Sequence, residues 1–149
     1  AQAWVDEGLL EWPGFQPVAP WLVQASVFVL PSFYREGVPL STQEAMEGHC
    51  ELRKRPGEGV PLSTQEAMAM ARPVITTDAP GCRETVLNGV NGFLVPPRNA
   101  QALAQKMCVF IEQPDLIASM GQASRRLAQE RFDVHQVNER LIALILQAD

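Results

Sequence analysis

Short apolar runs alternate along the chain with segments whose apolar residues recur at helical spacing. Four of these runs stop at turn-forming residues and are predicted to be strands: residues 9–12, 27–30, 74–77 and 92–95. Trp21, Leu22 and Ala25 lie at helical spacing between the first two runs. The alternation favours a parallel sheet with right-handed crossovers and helices on both faces. The pattern therefore predicts the α/β class.

The last third of the chain is predicted to be helical. Asn99 is a candidate N-cap of a helix that ends before Pro114, and a second helix starts near Asp115. Asp133 with Gln136 makes a capping-box-like start for the last helix. Because amphipathic helices normally bury one face, the apolar stripes of the last two helices are predicted to pack in the core. These stripes comprise Leu116, Ile117, Met120 and Leu127, and then Val134, Val137, Leu141, Leu144 and Ile145.

One segment of eleven residues occurs twice. Residues 36–46 and 58–68 both have the sequence EGVPLSTQEAM, with an offset of 22 residues. A solenoid would need at least three stacked units, so two perfect copies indicate a tandem duplication within one domain. Only one copy can occupy the helix position between the strands at 27–30 and 74–77. Either choice loops out 22 residues, at a chain-closure cost of about 1.5 to 2 kcal/mol.

The residues that follow each copy favour the second one. Met70 follows the second copy, and its burial is worth about 1.5 to 3 kcal/mol. Gly48 follows the first copy, and a glycine within a helix costs about 1 kcal/mol. We therefore expect residues 63–71 to form the buried helix and residues 36–57 to be displaced. Against this choice, only the first copy is directly preceded by Arg35.

Each copy combines a Gly-Val-Pro turn with two glutamates eight positions apart, Glu36 with Glu44 and Glu58 with Glu66. The turn lets the chain enter a helix, at Ser63 in the second copy, with unpaired N–H groups at the carboxyl end of the sheet. Such a helix start favours a phosphate by about 0.3 to 1 kcal/mol per contact. The carboxylates could accept hydrogen bonds from sugar hydroxyls. The alternative is that Ser63 and Glu66 simply form a capping box.

Composition excludes several other classes of function. The net charge of −5 and the lack of a basic stripe argue against a nucleic-acid partner. No apolar run is long enough for a membrane span and no signal peptide is evident, so a cytoplasmic location is expected. The three cysteines lack metal-ligand spacing, which predicts no metal site. No G-x-G-x-x-G follows a strand, which disfavours a dinucleotide-dependent oxidoreductase.

A longer pattern surrounds the repeat. VFVLPS precedes it, EGVPLSTQEAMAMARPVITTD contains its second copy, and GCRETV and NGFLVP follow. This pattern resembles the GT4 family of retaining glycosyltransferases, and the likeness extends from about Trp4 to the last helix. The resemblance implies that residues 1–149 are a single partial GT-B C-terminal domain, which binds a nucleotide sugar on a partial Rossmann-like sheet.

The resemblance also implies roles for individual residues. The first glutamate, Glu36 or Glu58, would lie near the transferred sugar and its phosphate. The second, Glu44 or Glu66, would bind the ribose hydroxyls, and Glu84 would help to order the motif loop. Neither a metal nor a cofactor other than the donor substrate would be needed. The pyrophosphate would rest against residues 37–41 or against the backbone of Gly59, Val60, Pro61, Leu62 and Ser63.

The resemblance further implies a UDP-sugar donor and a role in bacterial surface polysaccharide or lipid-linked glycan synthesis. The family's Gly-Arg loop and its N-terminal acceptor domain are missing from this sequence, so the chain is expected to be inactive alone. The parent enzyme could associate peripherally with a membrane, and a displaced repeat copy could give a swapped homodimer. The rival hypothesis is a non-catalytic fragment or an engineered chain with a duplicated helix.

Overall fold

The computed structural model describes residues 2–11, 13–14, 17–32 and 60–146. The strands are β1 (Phe28–Leu30), β2 (Val74–Thr77) and β3 (Gly92–Val95). They are parallel and form one sheet in the order β1-β2-β3, as predicted for the α/β class. A short 3₁₀ turn at Cys82–Glu84 connects β2 to β3. The helices are α1 (Gln2–Asp6), α2 (Val18–Gln24), α3 (Leu62–Ala69), α4 (Ala100–Glu112), α5 (Asp115–Phe132) and α6 (Val134–Leu146).

The central strand β2 sends alternate side chains into two apolar clusters, one on each face of the sheet. Val74 contributes to a cluster with α2, α3 and α5, whereas Ile75 contributes to a cluster with α4 and α5. Both side chains are fully buried. Successive side chains of a strand point to opposite faces, so a continuous run such as VITT requires cover on both sides. Helices on both faces are therefore confirmed.

The prediction of a strand at residues 9–12 is wrong for residues 9–11, and Trp12 lies outside the described residues. The chain begins instead with α1, which the apolar pattern did not predict. The amides of Leu9 and Leu10 both donate to the carbonyl oxygen of Trp4, at 2.8 and 3.0 Å. These bonds close a turn at the end of α1, and they use the amides that a strand would have offered to a neighbour.

The second repeat copy occupies the helix position between β1 and β2, as predicted from the residues that follow it. The helix runs over Leu62–Ala69 rather than over residues 63–71. Its buried residues are Thr64, Ala67 and Met68, and all three are 0% exposed. Met70 packs against the same cluster just after the helix. The first copy, residues 36–46, lies outside the described residues.

Helices α4 and α6 begin at the capping residues that the sequence predicted. The Asn99 side chain accepts a hydrogen bond from the amide of Ala102 at 2.9 Å, and the Asp133 carboxylate accepts one from the amide of His135 at 2.9 Å. The stripe of α5 packs in the core as expected, with Leu116, Ile117 and Met120 in one cluster and Leu127 in the other.

The prediction that the apolar stripe of α6 packs in the core is wrong for the side chains that the structure describes. Val134, Val137 and Ile145 are 60%, 45% and 62% exposed. The side chains of Leu141 and Leu144 lie outside the described set. The two clusters against the sheet are filled by side chains of α2, α3, α4 and α5, and no described side chain of α6 belongs to either of them; α6 contacts α5 instead.

Candidate functional site

The first turn of α3 lies on the side of the sheet where the strands end. Residues 70–73 lead directly from α3 into the start of β2, so the helix runs back over the sheet and its N-terminus lies toward the carboxyl ends. Pro61 precedes the helix, and its carbonyl oxygen accepts from the amides of Thr64 and Gln65, at 3.2 and 3.3 Å. The amides of Leu62 and Ser63 therefore precede the first bonds within the helix.

The capping-box alternative for Ser63 and Glu66 is wrong. The N-cap of α3 is Pro61, and no side chain caps it. Thr64 Oγ1 instead donates to the Pro61 carbonyl oxygen at 2.7 Å, and Gln65 Nε2 donates to that of Val60 at 3.1 Å. Because Ser63 already lies within the helix, two residues after the N-cap position, its hydroxyl cannot act as the cap. These contacts hold the Val60-Pro61 turn against the start of the helix.

Glu66 is exposed and lines a groove of about 340 Å³ between α3 and α5. Arg125 and Gln129 line this groove from α5, and Asp133, the residue that follows α5, lines it as well. One guanidinium nitrogen of Arg125 donates to the Ala69 carbonyl oxygen at 3.3 Å, which places a cation at the C-terminal end of α3, where the helix dipole favours it. The groove thus combines hydrogen-bond donors and acceptors.

A second cavity, of about 280 Å³, lies at the carboxyl ends of the strands. Pro31, Thr77 and Val95 mark the ends of β1, β2 and β3, and Asn99 caps α4 on the same side. Thr77 Oγ1 donates to the Ser32 carbonyl oxygen, which ties the segment after β1 to the end of β2. This is the edge of a parallel sheet at which ligands usually bind.

Glu84 ends the 3₁₀ turn between β2 and β3. Its side chain is exposed, and its carbonyl oxygen accepts a hydrogen bond from Arg131 at 3.2 Å. The preceding residue, Arg83, pairs with Asp78 at 3.2 Å on the surface. The hydrogen bond from Arg131 therefore anchors the 3₁₀ turn to α5 through the backbone of Glu84.

The described part of the chain contains six of the ten predicted site residues: Val60, Pro61, Leu62, Ser63, Glu66 and Glu84. The first five lie together at or near the start of α3, whereas Glu84 follows β2. The other four, Glu36, Glu44, Glu58 and Gly59, lie outside the described residues.

Sequence reasoning missed Arg125 and Gln129, the α5 residues that face Glu66 across the groove. They are separated from Glu66 by 59 and 63 positions, and no local motif surrounds them. The only available signal was the polar face of α5, which by itself predicts solvent exposure.

Among the described residues, no three His, Cys, Asp or Glu side chains come together in a way that could hold a metal ion. No described helix is both long enough and apolar enough to cross a membrane.

Comparisons with known proteins add independent findings. The family model described as "Glycosyl transferases group 1" matches residues 49–113. WcaL of Salmonella typhimurium, which is named as a colanic acid biosynthesis glycosyltransferase, is 34% identical over 93% of this chain and 31% of its own length. AmsK of Erwinia amylovora, named as an amylovoran biosynthesis glycosyltransferase, is 28% identical over 90% of this chain and 29% of its own length.

Solved structures agree with these matches. Anabaena HepE in complex with UDP and glucose has a TM-score of 0.71 and 26% identity, covering 99% of this chain and 35% of HepE. Sucrose-phosphate synthase of Thermosynechococcus elongatus has a TM-score of 0.72 over 99% of this chain and 33% of its own, and its 24% identity supports the fold alone. The chain thus spans about a third of the length of these proteins.

Proposed function

Because this chain is homologous to GT-B glycosyltransferases and contains a match to the group 1 glycosyl transferase domain, we propose that it is the nucleotide-sugar-binding part of a retaining enzyme of the GT4 family. Its donor would be a UDP-sugar, since a relative of the same fold has a solved complex with UDP and glucose. Its pathway would be bacterial polysaccharide or lipid-linked glycan synthesis, in keeping with the names of WcaL and AmsK.

The observation that carries this proposal is the position of α3. A Gly-Val-Pro sequence leads into a helix whose N-terminus lies at the carboxyl-end side of a parallel sheet. The amides of Leu62 and Ser63 precede the first helical hydrogen bonds and are therefore suited to bind phosphate oxygens. Glu66 lies one helical turn further along α3, which is a suitable place to accept hydrogen bonds from ribose hydroxyls.

The remaining assignments follow the same resemblance. Gly59, Val60 and Pro61 would shape the turn beside the pyrophosphate, and Glu58 would face the transferred sugar. Glu84 would keep the neighbouring loop in place, and the exposed carboxylate position at the end of its turn is compatible with this role. Glu36 and Glu44 would serve instead of Glu58 and Glu66 if the first repeat copy occupied the α3 position.

Complete transfer would need the acceptor-binding domain. A GT-B active site lies between two domains, and this chain corresponds to about a third of its relatives. We propose that the chain binds donor without transferring sugar, that the full enzyme works peripherally at a membrane in the cytoplasm, and that a displaced repeat copy can pair with a second molecule. Sedimentation that shows only monomer at high protein concentration would exclude that pairing.

Calorimetric titration with UDP and with UDP-glucose tests the proposed donor site. We expect Glu66→Gln to weaken UDP binding about 10-fold or more, because a hydrogen bond to a charged group is worth about 1.5 to 3 kcal/mol. Glu130→Gln is the matched control, since it removes the same charge from an exposed position of α5. Equal loss in both variants would indicate a nonspecific charge effect and would contradict the assigned role of Glu66.

The second candidate is a non-catalytic chain in which a helix has been duplicated. The complete identity of the two eleven-residue copies favours it, since an old duplication would have diverged. The same titration separates the two candidates. Absence of UDP binding at millimolar nucleotide would leave the non-catalytic chain, whereas binding that depends on Glu66 supports the donor site.

A further inference from the structure

We propose that either copy of the repeat can fill the α3 position, and that Met70 is the main residue that selects the second copy. The chain would then have two folded arrangements, related by a shift of 22 residues, of which the one described above is the more stable. This proposal concerns the fold and does not depend on nucleotide binding.

The buried contacts of α3 do not distinguish between the copies. All three of its fully buried residues, Thr64, Ala67 and Met68, lie within the eleven shared positions. So do Pro61, which accepts the hydrogen bond from Thr64 Oγ1, and Gln65, which donates to the Val60 carbonyl oxygen. The first copy carries the same residue types in the same order and can therefore supply every one of these interactions.

The two arrangements are also balanced in loop length. With the second copy in place, the extra 22 residues lie between β1 and the helix. With the first copy in place, they would lie between the helix and β2. Because the cost of closing a loop depends only weakly on its length, moving the same number of residues from one loop to the other changes the free energy little.

The distinction therefore rests on the residues just after the repeat. Met70 packs against the cluster formed by α2, α3 and α5, and the corresponding residue after the first copy is Gly48, which has no side chain to bury. Arg72 does not discriminate, although it donates to the carbonyl oxygens of Leu22 and Val23, each at 2.9 Å. It lies two residues before β2 and stays there in both arrangements.

Partial burial of one methionine side chain corresponds to a preference of about 10-fold for the second copy. This preference predicts how substitutions in either copy change the folding equilibrium constant, which urea unfolding measures. Met68→Glu should lower the folding equilibrium constant only about 10-fold, because the first copy can replace the damaged helix. Met46→Glu should have almost no effect, and the double variant should lose its cooperative unfolding transition.

Two methionines without a duplicate serve as controls. Met120 is 6% exposed and Met107 is 45% exposed. We expect Met120→Glu to abolish the folded state, because a buried unpaired charge has no replacement there. Met107→Glu should be tolerated. Together, these variants show what a glutamate costs at a buried and at an exposed methionine when no second copy is available.

A Met70→Gly background tests the selector. Without the Met70 side chain the two arrangements should be nearly equal in population, so Met68→Glu should cost only about 2-fold there. In the Met68→Glu chain, nuclear Overhauser contacts between the Met46 methyl group and Val74 would show the exchange directly. The proposal would be overturned if the Met68→Glu chain were unfolded, as is expected of the double variant, or if it folded without these contacts.

Discussion

Gly121 of α5 provides a test in which local propensity and tertiary packing predict opposite outcomes. Gly121→Ala in the interior of an isolated helix should stabilise that helix by about 1 kcal/mol. In this fold, a Cβ added at Gly121 would lie 2.3 Å from the Ala71 carbonyl oxygen and 3.2 Å from its carbonyl carbon. Both atoms belong to the backbone and cannot rotate away.

Relief of this overlap would require α5 to move outward by roughly 1 Å, since non-bonded heavy atoms prefer about 3.5 Å or more. That movement would strain two nearby bonds of α5, from Ser124 Oγ to the Asn91 carbonyl oxygen at 3.0 Å and from Arg125 to Ala69 at 3.3 Å. Inserting a methyl group into a packed contact typically costs about 1 to 3 kcal/mol. Because the overlapping atoms belong to the backbone, we expect a cost in the upper part of this range, about 2 to 3 kcal/mol, and therefore a net loss of roughly 1 to 2 kcal/mol after the gain in propensity.

Urea unfolding followed by far-UV circular dichroism measures this loss. With a typical slope of about 2 kcal/mol/M, the midpoint of Gly121→Ala should fall by about 0.5 to 1 M. Gln122→Ala is the matched control, because Gln122 is the next residue of α5 and is exposed; its midpoint should stay constant or rise slightly. A Gly121→Ala chain as stable as the parent would show that α5 does not pack closely on Ala71.

Three further substitutions have defined expectations in the same unfolding assay. Asn91→Leu should cost about 2 to 4 kcal/mol, because the fully buried amide of Asn91 bonds two backbone groups; a cost below about 1 kcal/mol would contradict this. Asn99→Ala removes the cap of α4 and should cost about 1 kcal/mol, whereas the exposed neighbour Gln101→Ala should be neutral. Ala71→Gly should stabilise by up to about 1 kcal/mol, since Ala71 has a φ of 54°, and a loss would refute that reasoning.

The sequence by itself determined the features that depend on neighbouring residues. The strands at 74–77 and 92–95 follow from short β-branched and apolar runs bounded by turn residues. The caps of α4 and α6 follow from the side chains of Asn99 and Asp133. The choice of the second repeat copy followed from Met70, the residue that packs against the core just after the helix.

Only the tertiary structure decided which distant residues meet. It placed Arg125 and Gln129 across the groove from Glu66, and it showed that residues 9–11 close a turn where a strand was expected. It also left the described apolar residues of α6 exposed. The physical reason is that hydrophobic spacing and capping act within a few residues along the chain. Contacts across the fold depend on the length and direction of whole helices, which local patterns do not specify.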